Sequence, residues 1–355
     1  MELIVDIYKK LPGFTLKTHF VSGSEALGLM GASGSGKSMT LRCIAGLEKP
    51  DKGRIVLNGN VLFDSEKGIN LPCQKRKIGF LFQNYALFPN MTVEENIGFA
   101  LDKISKERKS RIVSEMIDIV KLGGLEKRYP SQLSGGQQQR AALARAIAIE
   151  PEALLLDEPL SALDDHLRSH MIKQLVDVLS NYRGITVFVT HNMEEAYRLC
   201  EKLIIISNGK VEAQGFKEEL LKYPPTIEAA QLTGCKNFSA ARFLSPHELY
   251  ASDWEVALTT KKELSENMGN VGIRAHYIRP AFENDTVNVF NCWPSSTSET
   301  PFRMTVYLTI GRKPSDSEDY HLQWELPKEQ WTYIKDNPLP WRICLDPERL
   351  MPFPG

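Results

Sequence analysis

The sequence predicts an α/β domain on a mainly parallel sheet, with a helical subdomain inserted in it, followed by a small all-β domain. Three observations lead there. Short apolar runs at 154–156, 186–189 and 203–206 lack polar alternation, so they read as strands buried on both faces. Between them, 108–120 and 168–179 carry apolar residues at helical spacing. After Tyr223-Pro224-Pro225 the composition changes: all five tryptophans (Trp254, Trp293, Trp324, Trp331 and Trp341) lie beyond it, among short alternating stretches.

Taken in order, 3–8 and 15–20 read as a hairpin turning at Pro12-Gly13. The apolar strand 25–30 runs into a glycine-rich turn, and 39–45 continues as a helix. The alternating stretches 255–259, 271–274 and 303–308 are expected strands of the second domain. The domains are placed at 1–234 and 235–355, with the helical subdomain at about 88–145. No internal repeat or low-complexity segment interrupts them.

The 355 residues suit two domains, and 42% hydrophobic with 25% charged residues is ordinary globular composition. A net charge of −1 supplies no global field toward DNA or acidic lipid, which argues against a nucleic-acid partner. The six cysteines form no C-x-x-C pair and no zinc spacing, so they read as free thiols of a reducing compartment. The first ten residues lack a signal-peptide pattern, and no apolar run approaches the roughly 18 residues of a spanning helix. Any work at a membrane then requires a partner that holds the chain there.

Gly31-Ala32-Ser33-Gly34-Ser35-Gly36-Lys37-Ser38 fits G-x-x-x-x-G-K-[ST] without a mismatch. Its glycines let backbone N–H groups converge on phosphate oxygens. Lys37 brings positive charge to the β- and γ-phosphates, and Ser38 offers a hydroxyl to Mg²⁺. The helix entered at Met39 adds its positive end. A chance Gly/Ser turn is the competing reading, and a strand before the motif with a helix after it weighs against that. The first domain is therefore expected to be an α/β P-loop NTPase.

Leu133-Ser134-Gly135-Gly136-Gln137-Gln138-Gln139-Arg140, ahead of an alanine-rich helix, resembles the signature sequence of the ABC ATPases. The resemblance implies that Ser134, Gly135, Gly136 and Gln137 meet a γ-phosphate at a helix N-terminus. Leu154-Leu155-Leu156-Asp157-Glu158 resembles the acidic strand end of P-loop ATPases, with Asp157 in the Mg²⁺ shell and Glu158 as general base for water. Ser161-Ala162-Leu163-Asp164 is similar to the family's dimer-contact loop, and His191 stands at its switch histidine. Gln83, in Leu81-Phe82-Gln83-Asn84, resembles the glutamine that senses Mg²⁺ and reports to the membrane partner. The family stacks an aromatic ring of the N-terminal hairpin on adenine, which assigns that part to Phe14, with Tyr8 as the alternative. ATP and Mg²⁺ are the implied cofactors, and one signature per chain implies a homodimer.

The interval between phosphate loop and signature is too short for the coiled coil of repair members of this family. One ATPase unit per chain differs from the translation members, and no spanning helices are fused as in many exporters. What remains is a separate ATPase subunit, peripheral on the cytoplasmic face of the membrane, docked on permease subunits and served indirectly by a substrate-binding protein. Asn84-Tyr85-Ala86-Leu87-Phe88-Pro89-Asn90-Met91-Thr92-Val93-Glu94-Glu95-Asn96-Ile97 resembles importer ATPases, its aromatic and apolar residues expected to be exposed toward the permease. A loop tucked into its own helical subdomain is the competing reading. Leu232-Thr233-Gly234-Cys235-Lys236-Asn237 and the short N-terminal hairpin look similar to molybdate/sulfate-type importers, which implies an OB/TOBE-like C-terminal domain. Molybdate is the implied cargo, with tungstate, sulfate, iron or a sugar as alternatives. A cytosolic ATPase without a permease stands as the reading of another class. Arg274, His276 and Arg279 are candidates for an anion in the C-terminal domain, against a purely supporting role for it.

Overall fold

Period-2 burial and tight turns build one side of the central sheet. A computed structural model describes residues 1–161 and 165–355, the side chains of 165–167 excepted. Strands β1 (Leu3–Leu11) and β2 (Phe14–Ser22) pair antiparallel from Leu3↔Ser22 to Leu11↔Phe14, turning at Pro12-Gly13 as expected. β3 (Leu27–Met30) is buried along its whole length and leads through the glycine-rich turn to α1 (Lys37–Ala45). β4 (Lys52–Leu57), β5 (Asn60–Asp64) and β6 (Ile69–Asn70) extend the sheet beyond β1 by antiparallel pairing. The sequence reading assigns no strand there. The signal was present: Asn58-Gly59, at φ 49° and 80°, is a two-residue turn of the type that favours hairpins.

The other side is parallel. β7 (Ile78–Leu81) precedes the helices α2 (Val93–Gly98), α3 (Lys106–Ile119) and α4 (Gly135–Ile147). Then come β8 (Ala153–Asp157), α5 (Asp165–Leu179), β9 (Ile185–Thr190), α6 (Met193–Leu199), β10 (Lys202–Ser207) and β11 (Lys210–Phe216). The eleven strands lie in the order β6-β5-β4-β1-β2-β11-β10-β3-β9-β8-β7, and the run from β10 to β7 is parallel throughout. Every residue of β8 and β9 is buried, which is why these runs show no alternation. A second Asn-Gly turn, Asn208-Gly209, folds β11 back on β10. The sheet core joins Leu29, Leu41, Leu155, Val187 and Ile206, while α2, α3 and α4 close on their own apolar cluster around Ile97, Ile117 and Ala144.

Tertiary contacts divide the chain into two units, Met1–Leu220 and Leu221–Gly355. The division falls within α7 (Lys217–Lys222), earlier than the expected 234/235, because α8 (Ile227–Leu232) packs with the C-terminal unit. There Ile227 and Ala230 join Cys235, Met351 and Phe353. The remaining elements are β12 (Asn237–Ser245), β13 (Glu248–Ala251), β14 (Val256–Thr259), β15 (Met268–Ile273), β16 (Ile278–Pro280), β17 (Val289–Glu299), β18 (Arg303–Ile310), β19 (Leu322–Pro327), α9 (Lys328–Ile334), β20 (Trp341–Leu345) and β21 (Met351–Pro354). They form two five-stranded antiparallel sheets on one core that buries Trp254, Trp324 and Trp341. The all-β expectation for this unit holds. Among the described residues no helix is long and apolar enough to cross a membrane.

Two of the three cations offered for an anion in this unit are engaged elsewhere. Arg274 is buried and donates to the carbonyls of Thr233 (2.5 Å) and Leu221 (2.6 Å) and to Thr233 Oγ1 (3.0 Å). It ties the residues around α8 to β15, and burial pulls its pKa down. Arg279 makes a bidentate pair with Asp285, at 2.6 and 2.9 Å. Replacing Arg274 by Met leaves two buried acceptors and one half-buried one short of a donor, a cost of roughly 2–3 kcal/mol. Because every tryptophan lies in this unit, urea unfolding of the full chain followed by tryptophan fluorescence should show that loss; an unchanged midpoint would remove Arg274 as the clamp.

Candidate functional site

The phosphate loop is held in shape by its own lysine. Lys37 opens α1, is almost wholly buried, and donates from Nζ to the carbonyls of Gly31 (2.9 Å) and Ala32 (2.8 Å). Burial lowers its pKa, and the carboxylates of Glu158 and Asp157 oppose that by favouring the charged form. Two glycines have no substitute here. A Cβ on Gly31 would stand 2.1 Å from the Ile206 carbonyl oxygen. Gly36 has φ 107°, and its Cβ would meet Leu16 Cδ1 at 2.7 Å. The ring of Phe14 lies on the same spot, with Cε2 3.5 Å from that position, so Phe14 borders the loop. Tyr8, the alternative, is exposed on β1, where it pairs with Lys17 and Lys52.

From the end of β8, Asp157 reaches α1, where its Oδ1 accepts from Ser38 Oγ at 2.7 Å. Asp157 is buried, which raises its pKa, while the Ser38 hydrogen bond and the Arg42 charge act the other way. A hydroxyl and a carboxylate in contact, with the Gln83 amide nearby, are the hard-oxygen donors that suit Mg²⁺. Among the described residues no group of three or more His, Cys, Asp or Glu is placed to hold a metal ion. Gln83, Asp157, Arg42, Phe82, Asn84 and Ser161 line one cleft of about 560 Å³.

Glu158 follows with φ 43°, a left-handed conformation that costs a non-glycine residue energy and marks strained turns at working sites. Its N–H donates to Val189 O and its carbonyl accepts from Ser161, so the turn is fixed on both sides. Glu158 Oε2 lies 3.5 Å from His191 Nδ1 and 3.5 Å from Gln83 Nε2. The structure thus brings Gln83, Glu158 and His191 to one oxygen atom. Asp164 lies outside the described residues.

The signature turn is built differently. Ser134 caps α4: its Oγ accepts from Gln137 N at 3.4 Å, and Gln137 Oε1 accepts from Ser134 N at 2.9 Å. Gln137 therefore closes a capping box. Ser134 and Gly135 are exposed, and among the described residues the hydrogen bonds of this turn stay local. One chain does not bring the 134–137 turn to its own phosphate loop by any such bond.

The loop after Gln83 corrects the expectation of an exposed apolar surface. Tyr85, Val93 and Ile97 are buried, and Leu87 packs on the helical cluster. Asn96 stitches the loop by bonding Phe88 N and O, Met91 O and Thr92 O. Phe88 stacks on Phe99 at 4.4 Å, under Arg145. The apolar residues of this segment are thus largely tucked into the helical group, and Phe99, just beyond it, is 44% exposed.

Sequence reading missed two supports. Arg76, buried, donates to Cys43 O and Ile44 O and so holds the end of α1. Glu195, also buried, accepts from Thr190 Oγ1 at 2.6 Å and lies 3.4 Å from Arg168, fixing the strand end before His191. No local pattern distinguishes either from a surface charge.

A phosphate loop, an acidic strand end on a parallel sheet and a polarising Glu–His–Gln group define an ATP-binding P-loop ATPase domain. The model of the "ABC transporter" family matches residues 18–161. A sulfate/thiosulfate import ATP-binding protein CysA of Thermosynechococcus vestitus is 40% identical over 264 residues, 73% of this chain and 76% of that one. CysA 1 of Agrobacterium fabrum is 37% identical over 313 residues, 86% of each chain. A solved dimeric ATP-binding cassette in a post-hydrolysis state, bound to ADP and Pi, is 28% identical with TM-score 0.52, covering 61% of this chain and 99% of that one. The chain belongs to the ABC transporter family, as an ATP-binding subunit.

Gly36→Ala should weaken ATP binding about tenfold, the equivalent of the roughly 1–2 kcal/mol that a side chain costs in left-handed backbone. Calorimetric titration checks this, with circular dichroism reporting an intact fold. Wild-type affinity would mean that the loop tolerates a Cβ.

Proposed function

We propose that this chain is the ATP-hydrolysing subunit of an importer for a sulfate-type oxyanion. It works as a homodimer on permease subunits at the cytoplasmic face of the membrane, with a substrate-binding protein delivering cargo. The observation that carries the ATPase part is the convergence of Glu158, His191 and Gln83 beside the Lys37 loop. The cargo reading rests on the relatives, whose names specify sulfate and thiosulfate import. Those names support sulfate and thiosulfate over molybdate, an oxyanion of the same tetrahedral shape. A regulatory ATPase without a permease has no comparable support.

In this reading the N–H groups of residues 31–38 and the Lys37 ammonium hold the β- and γ-phosphates. Phe14 supports the adenine ring. Ser38, Asp157 and Gln83 would hold Mg²⁺, which supplies charge neutralisation at the phosphates when bound. Glu158 takes a proton from the attacking water as its oxygen bonds to the γ-phosphorus. The bond from that phosphorus to the bridging oxygen breaks, giving ADP and phosphate. His191 orients Glu158 and the water together. The exposed Ser134 and Gly135 and the half-buried Gly136 at the start of α4 offer N–H groups to the γ-phosphate of a second copy, with Gln137 holding their cap and Asp164 joining the contact between copies. The dimeric relative supports the pairing of two copies.

Glu158→Gln should cut ATP turnover by about 10²–10⁴-fold while ATP still binds. Ser134→Arg should abolish hydrolysis and spare binding; turnover at the normal rate in Ser134→Arg would eliminate the shared site. Cargo is tested with the subunit and its permease reconstituted in vesicles, offering sulfate, thiosulfate, molybdate, tungstate and a sugar. ATP-driven uptake of sulfate or thiosulfate is expected, and uptake of the sugar alone would overturn the oxyanion reading.

A further inference from the structure

Behind the signature turn lies a second pocket, of about 220 Å³, that the ATPase chemistry does not use. Its walls come from the end of α3, the first turns of α4 and one face of α5. Ile119, Val120, Leu143, Met171, Leu175 and Val178 make it largely apolar. Its lining includes Gln139, fully buried, with neither amide atom hydrogen-bonded among the described residues. Gln174 Oε1, also in the wall, is buried and unpaired as well. The neighbouring Arg140 does not relieve them: its Nε donates to the carbonyl of Gly136 and its Nη1 to those of Val120 and Lys121, and none of these bonds reaches the two amides.

Native proteins seldom leave a buried amide unpaired. A single water would satisfy Gln139, but one water takes roughly 30 Å³, a small part of this space, and needs 2–4 polar partners. An apolar cavity of roughly 150 Å³ already accepts benzene. The space here suits a six-membered ring carrying one further polar group. Gln139 presents one donor and one acceptor side by side, and turning the amide over only exchanges them. Its complement is another planar edge with one donor and one acceptor, as in a carboxamide or a nucleobase.

We propose that this pocket is an effector site for a small planar molecule with an apolar ring and an amide-type edge bound to Gln139. The regulatory part rests on the ATPase reading above; the binding part does not. The link between them is Met171. It lines the pocket, and its sulfur is the nearest atom from outside α4 to the Cβ position of Gly136, at 3.4 Å. An occupant that moves Met171 therefore moves the support of the 134–137 turn.

The test uses the full chain with ¹³C-methyl methionine, the Met171 resonance assigned through Met171→Leu, and benzamide and toluene as probes. Benzamide should shift the Met171 methyl saturably and bind at least tenfold tighter than toluene. Gln139→Leu should erase that preference, and Val178→Trp, which fills the pocket, should abolish both responses with an unchanged circular dichroism spectrum. Saturating benzamide should change ATP turnover at least twofold. A Met171 methyl that stays in place up to the solubility of benzamide, or a preference that survives Gln139→Leu, would overturn the site. Saturable binding with unchanged turnover would overturn the effector role alone.

Discussion

An ammonium buried beside two carboxylates is the constraint on which the first unit depends. Burial pushes the Lys37 pKa down, and the negative charges of Glu158 and Asp157 oppose that by favouring its charged form. Its hydrogens rest on two loop carbonyls, which fixes the turn that leaves the loop N–H groups free for phosphate. Asp157 stands there because β8 runs between β9 and β7 in the parallel part of the sheet, and Ser38 of α1 bonds to it. Arg76 secures the other end of α1. Removing any of these strands or bonds changes the electrostatics of the loop, so fold and chemistry share one set of contacts.

Much of this was legible in the chain itself, for physical reasons. Fully buried strands leave unbroken apolar runs, as at β8 and β9, and a phosphate loop requires an unusual density of glycine at fixed spacing. The strands from β4 to β6 were legible too, through Asn58-Gly59, but their runs are short and half-exposed, so periodicity alone passes over them. Glu158, His191 and Gln83 lie far apart in sequence, and the distances that unite them depend on strand order. Glu195 and Arg76 could not be found in this way: a buried charge looks like a surface charge until its partners are known. The loop after Gln83 shows the reverse error, since Tyr85 and Leu87 read as surface apolar residues, whereas Tyr85 is buried and Leu87 is partly buried against the helical cluster.

In the C-terminal unit, composition identified the class but not the roles. Clustered arginines suggested an anion site, whereas Arg274 satisfies backbone carbonyls and Arg279 satisfies Asp285. Guanidinium groups are well suited to such buried acceptor sets because they present five donors in a fixed plane. Counting cations along a sequence cannot separate that use from ligand binding.

The eleven-stranded sheet has a seam. The strands around β1 join the rest of the sheet at β2 and β11, where the ladder consists of one parallel pair, Lys17 with Lys210. Phe14 belongs to one side of the seam and Lys37 to the other. A nucleotide lying with its base on Phe14 and its phosphates on Lys37 would span the join, acting as a removable rivet between two plates. The stiffness of the domain would then rise and fall with each catalytic cycle, making the fuel itself a structural member while it is bound.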